Sequence, residues 1–284
     1  MLSLSENYAS DSIVLGQSGG GSIVQTDKHF AFWVPHNETT GSIVLYYKEE
    51  SGDFTEVNRI IGNRMVGYAM AANDEWFVSF DGATRDVMFF KLNDNHQLNT
   101  TIKWGFKQLT TFNGRLKLLP NNNLLSHDYP LGQSSVVMYP YLGDSWATTP
   151  SASIPSDTHP SLGDTFIATF DTATSVLGLY SINGNDFNFL ENVTVPFEID
   201  MSYPRYTYNG IDTVVFPVNT DFVDILEKNN VGQWAHKTAT WTSTDDNFNH
   251  FFEWKGSDLY ISALRHGDTS KNYRHKGLYN ILIY

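Results

Sequence analysis

The chain has 284 residues, of which 41% are hydrophobic, 17% charged and 14% aromatic, and it has no cysteine. Such a chain is long and apolar enough to bury the core of one large all-β domain, which excludes disorder, and the missing thiols exclude disulfides and thiolate metal sites. Its 31 acidic and 18 basic residues leave a net charge of -13, which argues against nucleic acid, because nothing offsets repulsion from a phosphate backbone.

No apolar run approaches the roughly 20 residues of a membrane helix, so membrane insertion is not expected. The opening MLSLSENYASDSIVL has neither a basic n-region nor an adequate apolar h-region, and no secretory signal is expected. Residues 2–15 are read as holding a spare strand, most apolar at Ser12-Ile13-Val14-Leu15. Gly16-Gln17-Ser18-Gly19-Gly20-Gly21 follows. It lacks the Lys-Ser/Thr of a phosphate loop and does not open a helix, so it is read as a crossing segment.

From there the chain falls into units of four strand-length runs, here called A to D. The first reads GGSIVQT, HFAFWV, GSIVLYYK and FTEVNRI, and the second VGYAMAA, EWFVSF, DVMFFKL and NTTIKW. The third runs from TFNGRLKLL to SWATTPSASI, the fourth from HPSLG to FNFLENVTV, and the fifth from PRYTYNG to QWAHKTATW. The sixth offers only FNHFFEWKG, DLYISAL and GLYNILIY. The runs are rich in β-branched and aromatic residues and are separated by Gly, Asn, Asp and Ser.

Two markers hold the register. Ahead of strand B stand Asp27-Lys28, Asn73-Asp74, Asn122-Asn123, Gly163-Asp164, Asn209-Gly210 and Gly256-Ser257, between about 40 and 50 residues apart, the period of propeller blades. At the start of strand D stand Phe54, Trp146, Phe187 and Trp234, with Leu98 in the second unit, where each would cover the outer edge of a blade. Four-stranded units at this period predict a six-bladed β-propeller, with four antiparallel strands per blade and residues 1–284 as one domain. Residues 277–284 pairing with the N-terminal strand would complete the sixth blade and close the ring.

The stretch DFTEVNRIIGNRMVGYAMAANDEWFVSF resembles an FG-GAP propeller repeat, with Gly67, Tyr68, Ala69, Met70 and Ala71 in matching order and Val66 in place of the family's Phe. That resemblance implies the propeller fold and one blade's strand A–B pair. The family's calcium loop is absent, since Asn93-Asp94-Asn95-His96 lacks its spacing and glycine, so no calcium, other metal or cofactor is implied. Ser51-Gly52-Asp53-Phe54 and Val231-Gly232-Gln233-Trp234 only partly match the Ser-x-Asp-x-Gly-x-x-Trp turn of sialidase-type propellers.

In a propeller the B–C and D–A connections share one face. The B–C loops supply the ligand-binding candidates His36, Asp81, Arg85, His127, Asp128, Tyr129, Asp171, Asp221, Arg265, His266, Asp268, Tyr273 and Arg274. Asp81, Asp128, Asp171, Asp221 and Asp268 recur at equivalent places, where carboxylates could converge on a channel. The longest loop, between Leu264 and Gly277, gathers Arg265, His266, Lys271, Arg274, His275 and Lys276 in an acidic protein, a lobe suited to a carboxylate, a sulfate or an acidic partner. The reading is a non-catalytic binding or structural module whose loop face contacts a glycan or a neighbouring protein, with Tyr129, Tyr273 and His266 as stacking surfaces. The acidic, cysteine-free, aromatic-rich composition resembles virion or phage tail and host-attachment proteins. A glycoside hydrolase or lyase with channel carboxylates and an intracellular interaction scaffold are the alternatives.

Overall fold

The computed structural model describes residues 4–5, 23–26, 28–35, 39–63, 66–84, 86–107, 115–128, 134–156, 160–197, 206–217, 222–240, 247–255, 258–265 and 274–281. Among these residues there is no helix, and 24 strands form six four-stranded sheets. After β1 (Leu4–Ser5), the first sheet is β2 (Ile23–Gln25), β3 (His29–Pro35), β4 (Thr40–Lys48) and β5 (Phe54–Asn63), and the second is β6 (Val66–Ala72), β7 (Trp76–Asp81), β8 (Asp86–Leu92) and β9 (Leu98–Lys107). The third is β10 (Leu116–Leu118), β11 (Leu124–Asp128), β12 (Ser135–Tyr139) and β13 (Ala152–Pro155), and the fourth is β14 (Ser161–Leu162), β15 (Phe166–Asp171), β16 (Val176–Asn183) and β17 (Asp186–Thr194). The fifth is β18 (Thr207–Tyr208), β19 (Thr213–Pro217), β20 (Phe222–Lys228) and β21 (Trp234–Thr240), and the sixth joins β22 (Asn247–Lys255), β23 (Asp258–Arg265) and β24 (Arg274–Ile281) to β1.

Five of the sheets pair their strands in sequence order, as the four-run units predict, and the sixth adds β1 beside β24. The N-terminal partner of β24 is Leu4–Ser5, which faces Ile281 and Asn280. That pair falls within residues 2–15, where sequence placed the spare strand, and the more apolar Ser12–Leu15 lies outside the described residues.

The chain divides into two compact units, one of Met1–Ser18, Asp157–Ser181 and Phe189–Tyr284, the other of Gly19–Ser156 and Ile182–Asn188. In the second, the inner strands are buried on both faces: every residue of β7 and of β12 is buried. Alternation sorts them, since successive side chains of a strand point to opposite faces. Val78 and Phe89 join Leu118, Leu124, Val137 and Tyr139 in one core, while Phe77 and Phe90 join Ala31, Ile43, Leu45 and Met70 in another. The second sheet therefore has an apolar neighbour on each side. In the other unit, Ala168, Phe170, Leu177 and Leu179 pack with Tyr206, Val214, Phe216 and Leu226. The fourth strands are wetter: β5 and β17 are mostly half-buried or exposed.

Trp146 departs from its expected place. Strand β13 begins at Ala152, and Trp146 instead bridges to Tyr141 ahead of it. It is fully buried, stacked on Phe89 at 3.7 Å, with its indole donating to the Asn122 carbonyl at 2.6 Å. It seals the second sheet against the third and does not cover an outer edge.

The turns explain the sequence markers. Asn73 Oδ1 accepts from the amides of Glu75 and Trp76 at 3.0 and 2.8 Å, and Asn209 Oδ1 accepts from Ile211, Asp212 and Thr213 at 2.9 to 3.0 Å. These asparagines mimic a backbone turn before strand B. The C–D turns Glu49–Asp53, Asn93–Gln97 and Asn229–Gln233 share one geometry, with a left-handed fourth residue: Gly52, His96 and Gly232.

Candidate functional site

Four of the proposed loop residues close a strand B: Asp81, Asp128, Asp171 and Arg265 are the last residues of β7, β11, β15 and β23. Two of these carboxylates, Asp81 and Asp171, are committed to their own turns. Asp81 Oδ1 accepts from the amides of Ala83 and Thr84 at 2.9 and 3.3 Å, and Asp171 Oδ1 accepts from Ala173 and Thr174 at the same two distances. The shared text Asp-x-Ala-Thr is the signature of this turn. Asp81 is 5% exposed and also accepts from the Asn63 amide. Asp171 is exposed, and hydrogen bonds from the Thr174 side chain and then from the turn amides hold its carboxyl below the usual range.

His127 is not a loop residue. It lies inside β11 and is fully buried. Its Nε2 lies 2.6 Å from Ser134 Oγ and 3.3 Å from the Ser156 carbonyl oxygen. A carbonyl only accepts, so a proton on Nε2 serves it, and the ring ties β11 to the residues flanking β12 and β13. Burial lowers its pKa, so the ring is neutral at physiological pH.

Asp128 ends β11 opposite Ser135. Arg265 and Arg274 are brought into direct register at the B–C end of β23 and β24. His36, Arg85, Tyr129, Asp221, His266, Asp268 and Tyr273 lie outside the described residues.

Three constellations escaped the sequence reading. Asp224, only 6% exposed, accepts from His236 Nε2 at 2.8 Å and Thr238 Oγ1 at 2.7 Å, while Phe197 lies against the imidazole at 4.7 Å. The second is a polar bracket. Asn73 Nδ2 donates to Asn122 Oδ1 at 2.7 Å, Asn122 Nδ2 donates to Glu75 at 3.0 Å, and Lys91 pairs with Glu75 at 3.2 Å. The third is a cluster of three rings, His29, Tyr47 and His96, with Tyr47 and His96 stacked and His29 tilted against both. All three depend on cross-strand register or on contacts between sheets, which no local pattern encodes. The tandem Asn markers were the visible trace of the bracket. Among the described residues no group of three His, Cys, Asp or Glu side chains is placed to hold a metal ion, and no helix is long and apolar enough to cross a membrane.

Large exposed apolar side chains sit elsewhere: Leu142, Ile211 and Val231 occupy A–B or C–D turns, and Phe189 and Leu190 lie on β17. Turn geometry alone does not account for those turn residues.

No protein-family model matches the sequence, and no curated protein does. The Gly67–Ala71 likeness to FG-GAP repeats therefore has no family-level support. Among solved structures, the chain is similar to a protein of Bacteroides uniformis provisionally assigned as a 6-phosphogluconolactonase, at 12% identity and a TM-score of 0.57, covering 92% of this chain and 85% of that one. It is similar at 9% identity and the same TM-score to a protein of Bacteroides fragilis with the same provisional assignment, covering 89% and 82%. It is similar to the WD40 domain of Toxoplasma gondii coronin at 11% identity and a TM-score of 0.53, covering 98% and 75%. WD40 repeats build propellers, so the chain is an all-β protein whose fold neighbours are β-propellers. At such identities the likeness concerns fold alone.

Proposed function

We propose that the six sheets are the blades of one six-bladed β-propeller, closed by the β1–β24 pairing, and that this single domain is a non-catalytic module binding an anionic glycan. The observation carrying this reading is the register of Arg265 with Arg274 in a protein of net charge -13. A register that sets two arginines opposite one another concentrates positive charge at that strand end, which an anion would offset. A carboxylate or sulfate also matches guanidinium geometry. The turn-capping roles of Asp81 and Asp171 favour binding over hydrolysis, since their oxygens are already engaged. The setting we assign is a virion or phage tail, where such a propeller would contact a host surface or a neighbouring tail protein. Its support is the acidic, cysteine-free composition.

A glycan array run at low and high salt tests this. Sialylated or sulfated glycans should be retained over neutral ones, and the double variant Arg265→Ala/Arg274→Ala should lose at least tenfold in affinity. Retention of neutral glycans alone, or turnover of a glycoside or of 6-phosphogluconolactone that Asp81→Asn or Asp171→Asn abolishes, would contradict it.

A further inference from the structure

His96 occupies a position that its counterparts give to glycine. In the three C–D turns of shared geometry the fourth residue is Gly52, His96 or Gly232, with φ of 95°, 61° and 81°. A left-handed backbone strains a residue that carries a Cβ, so the histidine needs a compensating contact. Its ring supplies one, lying flat on Tyr47 at 3.7 Å with planes 10° apart, and 5.3 Å from the ring of His29. Tyr47 faces His29 directly across β3 and β4, with rings 5.7 Å apart. A turn of the second sheet is thus fastened to the first through a cluster of three rings, in which His96 stacks on Tyr47 and His29 lies tilted against both.

His29 is 4% exposed, and among the described residues its Nε2 has no hydrogen-bond partner. Its Nδ1 lies 3.5 Å from Thr26 Oγ1, which already accepts from the amides of Lys28 and His29 and so has its hydroxyl proton left to offer. That contact suits a ring with a lone pair on Nδ1, hence a neutral one. The charged groups acting on the ring are His96 and Lys28, which oppose a positive charge, and Asp74, which favours it. Burial is the largest influence and pushes His29 down to about 4.

We propose that the His29–Tyr47–His96 ring cluster is an acid-sensitive latch, which holds the Asn93–Gln97 turn on β3 and β4 while the His29 ring is neutral and releases it on acidification. Positive charge on His29 would sit in a buried position facing a second imidazole and Lys28, with Asp74, among the described residues, the group that favours it.

Hydrogen–deuterium exchange of the whole chain at pH 7.5 and pH 5.0, corrected for intrinsic rates, tests the latch. The amides of Asn93 and His96, bonded within the turn, should exchange at least tenfold faster at the lower pH, while the β15 amides change far less. His29→Phe should abolish the acid response, and His96→Gly should give fast exchange at both pH values. Equal exchange of the wild-type turn at both pH values, or an undiminished response in His29→Phe, would overturn the proposal. Should His29→Phe not fold, NMR titration of the wild-type ring decides. The His29 resonances should shift together with those of the turn amides, and titration of the ring with the turn unmoved would overturn the latch.

Discussion

At the scale of single residues, the side chains most reactive on paper are those the fold uses for itself. Asp81 is the clearest case: it is buried, caps its own turn and accepts from Asn63. Asp81→Ala should cost about 2–3 kcal/mol, because two amides and an Asn side chain lose their acceptor, and Asp81→Asn should cost less, since one oxygen can still cap the turn. Urea midpoints with unchanged slope measure both. The sequence showed that Asp81 and Asp171 are equivalent, but Asp-x-Ala-Thr reads equally as a loop ligand or a turn cap until amide positions are known. His29 sets a pH dependence. Its folded-state value of about 4 lies below the ordinary 6.5, so folding favours the neutral ring. Stability should be full above about pH 6.5 and decline as pH falls through 6.5 towards 4, by on the order of 1–3 kcal/mol. His29→Phe should remove that part of the slope in chemical denaturation followed across pH.

At the scale of elements, the four-strand units were legible because hydrophobic runs and turn residues are local signals, and each expected run corresponds to one strand. What was illegible is where strands bend or stop. Gly67 illustrates this: the β6–β7 register shifts between Val66 and Ala69, and φ at Gly67 is 109°. A Cβ there would meet Ile43 Cγ1 at 2.8 Å and Trp33 Cβ at 3.2 Å. Gly67→Ala should therefore cost about 2 kcal/mol or more, through strain and overpacking together. Trp146 was recognised as a marker but given the wrong task, because a sequence period cannot say how long the chain wanders before strand D resumes. As a buried ring stacked on Phe89, it should cost about 3–5 kcal/mol as Trp146→Ala. Thermal unfolding checks both substitutions.

At the scale of the whole molecule, repetition is the source of the proposed ring. A unit with two apolar faces needs a neighbour on each, as Phe77 and Val78 show by packing into different cores, and closing the ring is the way to leave no face over. The sequence anticipated an N-terminal strand beside the last unit within residues 2–15, and β24 takes Leu4 and Ser5 from that span. Edge pairing rests on backbone hydrogen bonds, so hydrophobicity alone does not say which residues of that span pair. The binding face stays the least legible part, because long polar loops collect charged residues for reasons of solvation as readily as for ligands. A chain without cysteine allows a direct test of closure through Ser5→Cys/Asn280→Cys, the positions paired in register. Mild oxidation of the folded monomer should give one intramolecular disulfide, seen as a loss of two protons by mass and a raised unfolding midpoint. Free thiols after oxidation, or only cross-linked dimers, would contradict the closed propeller.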